Sequence, residues 1–325
     1  MKHIQQYQTA FLDYLAANPF LQKPEGLYQP IDYILNLGGK RMRPVALLMS
    51  YSVFHEDFKA ALPAAYAIEI FHNFTLVHDD VIDDAPLRRK QATVHEKWDL
   101  NTAILSGDVM LVYAYEYLLK IGNKDNLEEI IKTFNKAAIE VCEGQQYDVD
   151  FETQDNVKIA EYLKMIELKT SVLLAAAMKI GALAAGTSIE NANHLYEFGK
   201  NMGIAFQLQD DYLDTFGDPE KFGKKVGGDI AKNKKTFLIL KALEVASPEL
   251  SNRLLSLMND SGTEENAKIS EVTNLLHQLD IPTLTRAKKN EYQNLAFDHL
   301  NALQVEENRK QPLIELANML LDREV

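Results

Sequence analysis

The chain has 325 residues, 46% of them hydrophobic, and a formal net charge of −13. This acidic balance argues against general nucleic-acid binding, which needs a surplus of lysine and arginine to neutralise phosphate. The single cysteine, Cys142, excludes an internal disulfide and is consistent with a reducing, cytoplasmic location. We expect one domain spanning residues 1–325, and no stable membrane insertion.

Helical periodicity dominates the chain. No proline lies between Leu87 and Asp218, and apolar residues there recur at three- and four-residue spacing, as in AILSGDVMLVYAYEYLLKI. This spacing predicts α-helices, which proline would interrupt. We therefore predict an all-α fold of about ten or more helices with breaks at glycine- and proline-containing stretches. The polar segment from about Pro248 to Arg309 is predicted to be peripheral.

The first unusual stretch is GGKRMRP, which runs from Gly38 to Pro44. Its glycines let the backbone approach a ligand, and the start of a helix favours anions. Lys40 and Arg43 are three residues apart and so share a helix face. Taken singly, such a basic cluster is more often surface than site.

Aspartates then occur in two similar groups. The first, in LVHDDVIDD, is Asp79, Asp80, Asp83 and Asp84; the second, in FQLQDDYLD, is Asp210, Asp211 and Asp214. In each group, carboxylates four residues apart share a helix face, where like charges repel. One such group is as often a solvated acidic face, but two copies flanked by apolar residues favour a site for ions.

Carboxylate oxygens suit Mg²⁺, which takes one or two carboxylates and completes its shell with water and substrate phosphate. The sequence therefore predicts a site for several Mg²⁺ ions and a diphosphate. A diiron helical bundle would need a Glu-x-x-His motif on each of two helices. Only Glu69 and His72 match that spacing, which makes the diiron alternative poor.

Further cations alternate with the aspartates along the chain. They are Arg88 and Arg89 after the first group, Lys169 before Thr170, and Lys224 and Lys234 after the second group. Arginine binds phosphate as a fork and lysine as a point charge. A chain that alternates both signs suits two diphosphates, one held through metals and the other held directly.

These stretches together resemble the trans-isoprenyl diphosphate synthases, or polyprenyl synthetases. The matching stretches are GGKRMRP, FHNFTLVHDDVIDDAPLRRK, TVHEKW…AILSGD, KTS, FQLQDDYLD, GKKVGGDIAKNKKT and LIELANMLLDRE. The resemblance implies mostly antiparallel helices around a deep central cavity, a homodimer, and condensation of isopentenyl diphosphate with a C5, C10 or C15 allylic diphosphate.

The resemblance also implies roles for individual residues. Three Mg²⁺ ions on the allylic diphosphate would be held by Asp79, Asp83 and Asp210, with Asp80, Asp211 and Asp214 as further ligands. The same diphosphate would be bound by Arg88, Lys169, Lys224 and Lys234. Isopentenyl diphosphate would be bound by Lys40, Arg43, His72 and Arg89. Gln207 matches a residue beside the allylic site, and Thr170 one close to the reacting carbons. One departure is Lys90, which stands where the family commonly has glycine.

Product length can be predicted from the helix before the first aspartates. Phe74 precedes Asp79 by five residues and would lie about 7.5 Å deeper along the helix. Its neighbour Thr75 is small, so one aromatic ring would partly close the cavity. This pattern favours a C20 product, geranylgeranyl diphosphate, over the C15 farnesyl diphosphate or a longer chain. The alternative is that Phe74 only packs the core.

Two other functions share part of this sequence pattern. A class I terpene cyclase also uses an Asp-Asp-x-x-Asp motif with Mg²⁺, but it needs no second diphosphate site, so Lys40, Arg43 and Arg89 argue against it. A non-catalytic subunit of a heteromeric synthase would typically lack one aspartate motif. Both motifs are intact here.

Overall fold

The computed structural model of this protein describes residues 2–218, 226–259 and 264–321, without the side chains of Lys2 and His3. Its first helices are α1 (Lys2–Ala17), α2 (Glu25–Asn36), α3 (Met42–Ser52), α4 (Leu62–Ile82), α5 (Val94–Lys97), α6 (Leu100–Leu118) and α7 (Leu127–Thr153). They continue with α8 (Ile159–Ile166), α9 (Val172–Ala184), α10 (Ile189–Phe216), α11 (Gly228–Ala231), α12 (Phe237–Val245), α13 (Pro248–Asn259), α14 (Glu265–Gln278), α15 (Ile281–Asn301) and α16 (Glu307–Leu321).

The predicted all-α fold is confirmed. A 3₁₀ turn, Phe58–Ala61, precedes α4, and a π-helical segment, Glu167–Ser171, joins α8 to α9. Within the described ranges, the extended structure is one short hairpin of β1 (Leu87–Arg88) and β2 (Gln91–Ala92), paired antiparallel. Local signals set several helix starts: α4 has a proline in its first turn, and the side chain of Asp99 caps α6 by accepting from Thr102 N at 2.8 Å.

The chain divides into two compact units. Unit 1 comprises Met1–Lys136, Ala176–Tyr196 and Leu303–Leu316. Within it, α4 packs most extensively against α6 and also against α3. Much of α4 is fully buried, which explains its nearly continuous apolar composition: Ala64, Ala65, Ala67, Ile68 and Ile70 all have 0% exposure.

Unit 2 comprises Ala137–Ala175, Glu197–Ala302 and Ala317–Val325. Its core joins apolar side chains of α8, α10, α12, α13 and α14, among them Leu208, Leu238, Leu254 and Leu276. The segment Pro248–Arg309 was predicted to be peripheral, and this is wrong. Its helices are amphipathic, with apolar residues at helical spacing among many polar ones. These apolar residues are buried in that core.

One stretch, Phe58–Ile82, is long and apolar enough to cross a membrane by length and composition alone, contrary to the expectation from sequence. The 18-residue apolar window within this stretch is 61% buried, as in the core helix of a soluble protein. It also ends in the first aspartate group.

Candidate active site

The glycine pair of GGKRMRP forms a turn that packs against the side chain of Arg89. Gly38 and Gly39 have φ of 83° and 116°, a region that favours glycine. A side chain at Gly39 would put its Cβ 2.7 Å from the guanidinium of Arg89. Arg89 also donates a hydrogen bond to the carbonyl of Gly38. The first basic cluster and Arg89, 50 positions apart in the sequence, therefore meet within unit 1.

The β1–β2 hairpin presents Arg89 to this turn. Arg89 and Lys90 are its two turn residues and both have positive φ, 53° and 66°. Positive φ at both positions gives the type I′ turn, whose twist matches that of the flanking strands. The sequence did not predict the hairpin because strands of two residues leave no alternating pattern.

His72 joins the same cluster. Nη1 of Arg43 lies 3.2 Å from Nε2 of His72, so the arginine donates and the imidazole accepts. Burial lowers the pKa of His72 well below its usual value, and the charges of Arg43, Arg89, Arg88 and Arg41 lower it further. His72 is therefore a neutral group among cations, which leaves their positive charge available to an anion.

A buried ion pair, Arg41 with Glu69, lies near the cluster of Arg43, His72 and Arg89. Arg41 is 5% exposed and has φ of 52°; its guanidinium donates to Glu69 and to the carbonyl of Leu35. Asn73 donates to the same Glu69 oxygen at 3.1 Å. The sequence analysis missed Arg41 and Glu69. Because a buried charge needs a partner, one arginine in a basic cluster beside an apolar helix was the available signal.

The first aspartate group divides into two kinds of side chain. Asp80 is buried, and Arg88 donates to both of its oxygens, with Nε at 2.9 and 2.8 Å and Nη2 at 2.6 Å. Asp79 is half-buried, and Asp83 is exposed at the end of α4. The predicted metal ligand Asp80 and the predicted diphosphate contact Arg88 are thus paired with each other.

The residues predicted to set product length lie on the same helix. The Phe74 ring is flanked by the rings of Phe71 and His78, with centroids at 5.5 and 4.8 Å. Phe71 in turn packs edge-on against Phe134 at 5.1 Å. Thr75 turns its hydroxyl back to donate to the carbonyl of His72 at 2.8 Å. Phe74 therefore lies within a row of rings that runs from Phe134 through Phe71 to His78.

In unit 2, the second aspartate group contains a buried carboxylate with both oxygens engaged. Asp211 accepts from the hydroxyl of Tyr162 and, at 3.0 Å, from Nε2 of Gln207. The pKa of Asp211 is raised to about 7, mainly by burial and also by the charges of Asp229 and Asp210, while the two hydrogen bonds from Tyr162 and Gln207 oppose the rise. This environment differs from that of an exposed metal ligand.

Asp214 has a structural contact as well. Its Oδ2 accepts from the backbone N–H of Asp229 at 2.9 Å, at the first turn of α11. Asp210 is half-buried on α10, one helical turn from Asp214. The pair Asp210 and Asp214 therefore shares a helix face, as predicted.

The lysines of unit 2 sit among carboxylates. Nζ of Lys169 lies 2.6 Å from Oδ2 of Asp148, and half-buried Thr170 follows it in the π-helical segment. Nζ of Lys234 lies 3.5 Å from Asp229. Burial lowers the pKa of Lys234, but the charges of Asp229, Asp148 and Asp211 outweigh it and leave the pKa raised. Lys224 lies outside the described residues.

Sequence reasoning missed three residues of unit 2 that contact the predicted ones: Tyr162, Asp148 and Asp229. A signal for Asp148 was present in Gly144, a glycine inside the 27-residue helix α7. Such a glycine often marks a close approach of another backbone. No comparable signal marked Tyr162, because an isolated tyrosine in an amphipathic helix is ordinary core.

The predicted site residues thus form two groups, one in each unit. Unit 1 holds Lys40, Arg43, His72, Phe74, Thr75, Asp79, Asp80, Asp83, Arg88 and Arg89. Unit 2 holds Lys169, Thr170, Gln207, Asp210, Asp211, Asp214 and Lys234. Among the described residues, no three histidine, cysteine, aspartate or glutamate side chains group closely enough to hold a metal by themselves. The pairs Asp79 with Asp83 and Asp210 with Asp214 fit Mg²⁺, because this ion takes few protein ligands and prefers carboxylate oxygens.

Comparison with known proteins identifies the family of this chain. The sequence model of the family described as Polyprenyl synthetase matches residues 24–276. The chain belongs to the polyprenyl synthetase family.

Individual relatives of this polyprenyl synthetase cover nearly all of it. It is 36% identical over 304 residues to the short chain isoprenyl diphosphate synthase of Methanocaldococcus jannaschii, covering 94% of this chain and 91% of the relative. It is 36% identical over 304 residues to the geranylgeranyl pyrophosphate synthase of Geoglobus acetivorans, covering 93% and 92%. A crystal structure of a geranylgeranyl pyrophosphate synthase superposes with a TM-score of 0.93 at 43% identity and covers 99% of each chain. This chain is a prenyltransferase, a short-chain isoprenyl diphosphate synthase.

Proposed function

We propose that this synthase condenses isopentenyl diphosphate head-to-tail with allylic diphosphates, with geranylgeranyl diphosphate (C20) as its main product. The observation that carries the proposal is the cluster of Arg43, His72 and Arg89 around the Gly38–Gly39 turn. Basic side chains and a neutral imidazole meet there, which suits isopentenyl diphosphate, whose C–O bond is not broken in the reaction. Lys40 adds a further exposed cation to the same loop.

The leaving diphosphate needs a different environment. Mg²⁺ bound by Asp79, Asp83, Asp210 and Asp214 would neutralise charge that develops on that diphosphate, and we propose three ions as in the family. Arg88, Lys169, Lys224 and Lys234 bind the same group. We assign Asp80 and Asp211 to positioning, because Arg88 occupies the first and Tyr162 with Gln207 the second.

The reaction is a transfer of an allylic group. The allylic C–O bond breaks with its electron pair going to the diphosphate oxygen. The double bond of isopentenyl diphosphate then forms the new C–C bond to the allylic carbon. The proton lost from the condensed product goes to the departing diphosphate, with Gln207 and Thr170 beside the reacting carbons. Exclusion of water from these carbons protects the allylic cation.

Metal binding by the first aspartates can be tested directly. Asp79→Ala should abolish turnover while the protein stays folded, because the variant loses a proposed ligand of Mg²⁺. Turnover is measured with Mg²⁺, isopentenyl diphosphate and a C15 primer. Near-normal turnover in Asp79→Ala would contradict the metal assignment, and the absence of condensation by the unaltered protein with every primer would favour a cyclase or a non-catalytic subunit.

Product length depends on Phe74. With C5, C10 and C15 primers, the mass ladder of products should end at C20. Phe74→Ala should lengthen the product, since it removes a ring from the aromatic row on α4 that is proposed to close the cavity. Phe297→Ala is the control, because Phe297 is another half-buried ring and packs against Phe198 in unit 2. A ladder that ends at C15 or beyond C20, or an unchanged product in Phe74→Ala, would overturn this part of the proposal.

The proposed homodimer is argued from an exposed apolar surface, and the proposed cytoplasmic location from the family. Leu105 and Val112 on α6 and Leu119 directly after it are spaced seven residues apart and are 57%, 61% and 49% exposed. An exposed apolar stripe on a helix is typical of an interface. We propose that it contributes to a homodimer of a soluble, cytoplasmic enzyme.

A further inference from the structure

The segment that carries Lys169 and Thr170 departs from regular helix. Residues Glu167–Ser171 form a π-helical turn between α8 and α9. Such turns insert one extra residue, are rare, and occur frequently at functional sites. The hydroxyl of Ser171 donates back to the carbonyl of Ile166 at 3.3 Å, across this turn. This hydrogen bond is local, and further contacts to the segment come from the neighbouring helices α7 and α10.

Glycines on two neighbouring helices meet the π-helical segment. A Cβ on Gly144 of α7 would lie 2.2 Å from the backbone nitrogen of Lys169 and 2.6 Å from its Cα. A Cβ on Gly203 of α10 would lie 2.7 Å from Cβ of Ser171. Real Cβ contacts are essentially never this short. The backbone of Lys169 cannot rotate away as a side chain can, so the contact at Gly144 is the stricter one.

The same face of α7 also binds the side chain of Lys169. Asp148 lies four residues after Gly144, one helical turn along, and Oδ2 of Asp148 is 2.6 Å from Nζ of Lys169. The two side chains are 37% and 26% exposed, so the pair contributes little to stability. Its effect is to set where the ammonium group points.

We propose that Gly144 and Asp148 are positioning residues that act through Lys169. Gly144 provides the space in which the π-helical turn packs its backbone against α7, and Asp148 holds the ammonium group one turn further on. The inference rests on the proposed role of Lys169 in binding the allylic diphosphate. A methyl group at position 144 would displace the turn and move Nζ of Lys169 away from Asp148.

The test is a double-mutant comparison of steady-state kinetics. Gly144→Ala and Asp148→Asn should each lower kcat/KM for the allylic diphosphate by roughly tenfold or more, with KM for isopentenyl diphosphate nearly unchanged. Combined with Lys169→Ala, neither should slow the enzyme further, because both act through that lysine. Isothermal titration with Mg²⁺ and inorganic diphosphate should show the same pattern in binding.

Gly181→Ala is the matched control. A Cβ there would lie 2.2 Å from the backbone oxygen of Leu47 in unit 1, so this variant suffers an equally severe backbone clash away from Lys169. Its melting temperature should fall, and any effect on rate should multiply with that of Lys169→Ala. Asp148→Asn keeps the shape of the side chain and tests the proposal if Gly144→Ala does not fold.

The role of Lys169 and the positioning roles of Gly144 and Asp148 are tested by different outcomes. Full activity in Lys169→Ala would contradict the proposed role of Lys169 and, with it, this inference. A slow Lys169→Ala variant whose defect multiplies with that of Gly144→Ala or Asp148→Asn would overturn the inference alone. Normal kinetics in a folded Gly144→Ala variant would overturn it as well.

Discussion

Lys90 has a backbone conformation that is unfavourable for a residue other than glycine. It has φ of 66° in the hairpin turn, where a non-glycine residue costs roughly 1–2 kcal/mol. Glycine there would relieve this cost but lose about 0.5–1 kcal/mol through the greater freedom of the unfolded chain. Lys90→Gly should therefore raise the free energy of unfolding by about 0.5–1 kcal/mol, measured by urea denaturation.

Lys90→Ala separates the backbone effect from loss of the lysine side chain. Alanine meets the same steric cost at positive φ, so this variant should gain nothing. An equal gain in both variants would mean that removal of the lysine charge, rather than the turn geometry, raises stability.

His72 gives stability a pH dependence of defined sign. The pKa of the folded state lies well below the usual value, because of burial and then the neighbouring arginines. Above about pH 6.5 the imidazole is neutral in both states and contributes no difference. As the pH falls below that value, the imidazole binds a proton in the unfolded state but not in the folded state. The free energy of unfolding therefore decreases, at most by about 1.4 kcal/mol per pH unit.

His72→Gln should flatten this decline, because an amide keeps an acceptor for Arg43 but does not titrate. The free energy of unfolding would be measured by urea denaturation at about pH 7.5, 6.5 and 5.5, within the window that the lowered pKa defines. His55→Gln, at an exposed position, serves as the control. An unchanged decline in His72→Gln would assign the acid sensitivity to other groups.

At the scale of elements, the pair of Arg41 and Glu69 ties the turn before α3 to α4. Both side chains are 2% exposed. Arg41→Met should lower the free energy of unfolding by about 3–5 kcal/mol, because it leaves the carboxylate of Glu69 buried without its cation. The double variant Arg41→Met/Glu69→Met should lose less than the single one, as measured by urea denaturation. Additive losses would show that the two charges are not coupled.

Element-level prediction failed where an element's role depends on distant partners. The polar segment after Pro248 looked peripheral, yet it places buried Lys268 where its Nζ reaches the carbonyl of Met258 at 3.2 Å and the side chain of Asn233. Asn233 belongs to the loop that carries Lys234. Nothing local marks Lys268, because a lysine on an amphipathic helix usually points to solvent.

For the whole molecule, assembly is the property most open to test. Leu105→Glu/Val112→Glu would place two charges in the exposed stripe of α6 and should convert the proposed dimer to monomers in sedimentation velocity. Leu21→Glu is the control, because Leu21 is 77% exposed and lies outside the stripe. A monomeric unaltered protein, or a dimer that survives the double substitution, would contradict the assignment.

Local patterns of the sequence were sufficient for the all-α class and the family, because helical period and the order of aspartates and cations are visible among neighbouring residues. The sequence also named Arg43, His72 and Arg89, which the tertiary structure brings together. The contacts that set Asp80 and Asp211 apart from the other aspartates come from the tertiary structure, since Arg88 and Tyr162 lie outside the two aspartate motifs. Burial and partner contacts arise from packing between distant segments, and the local sequence does not encode them.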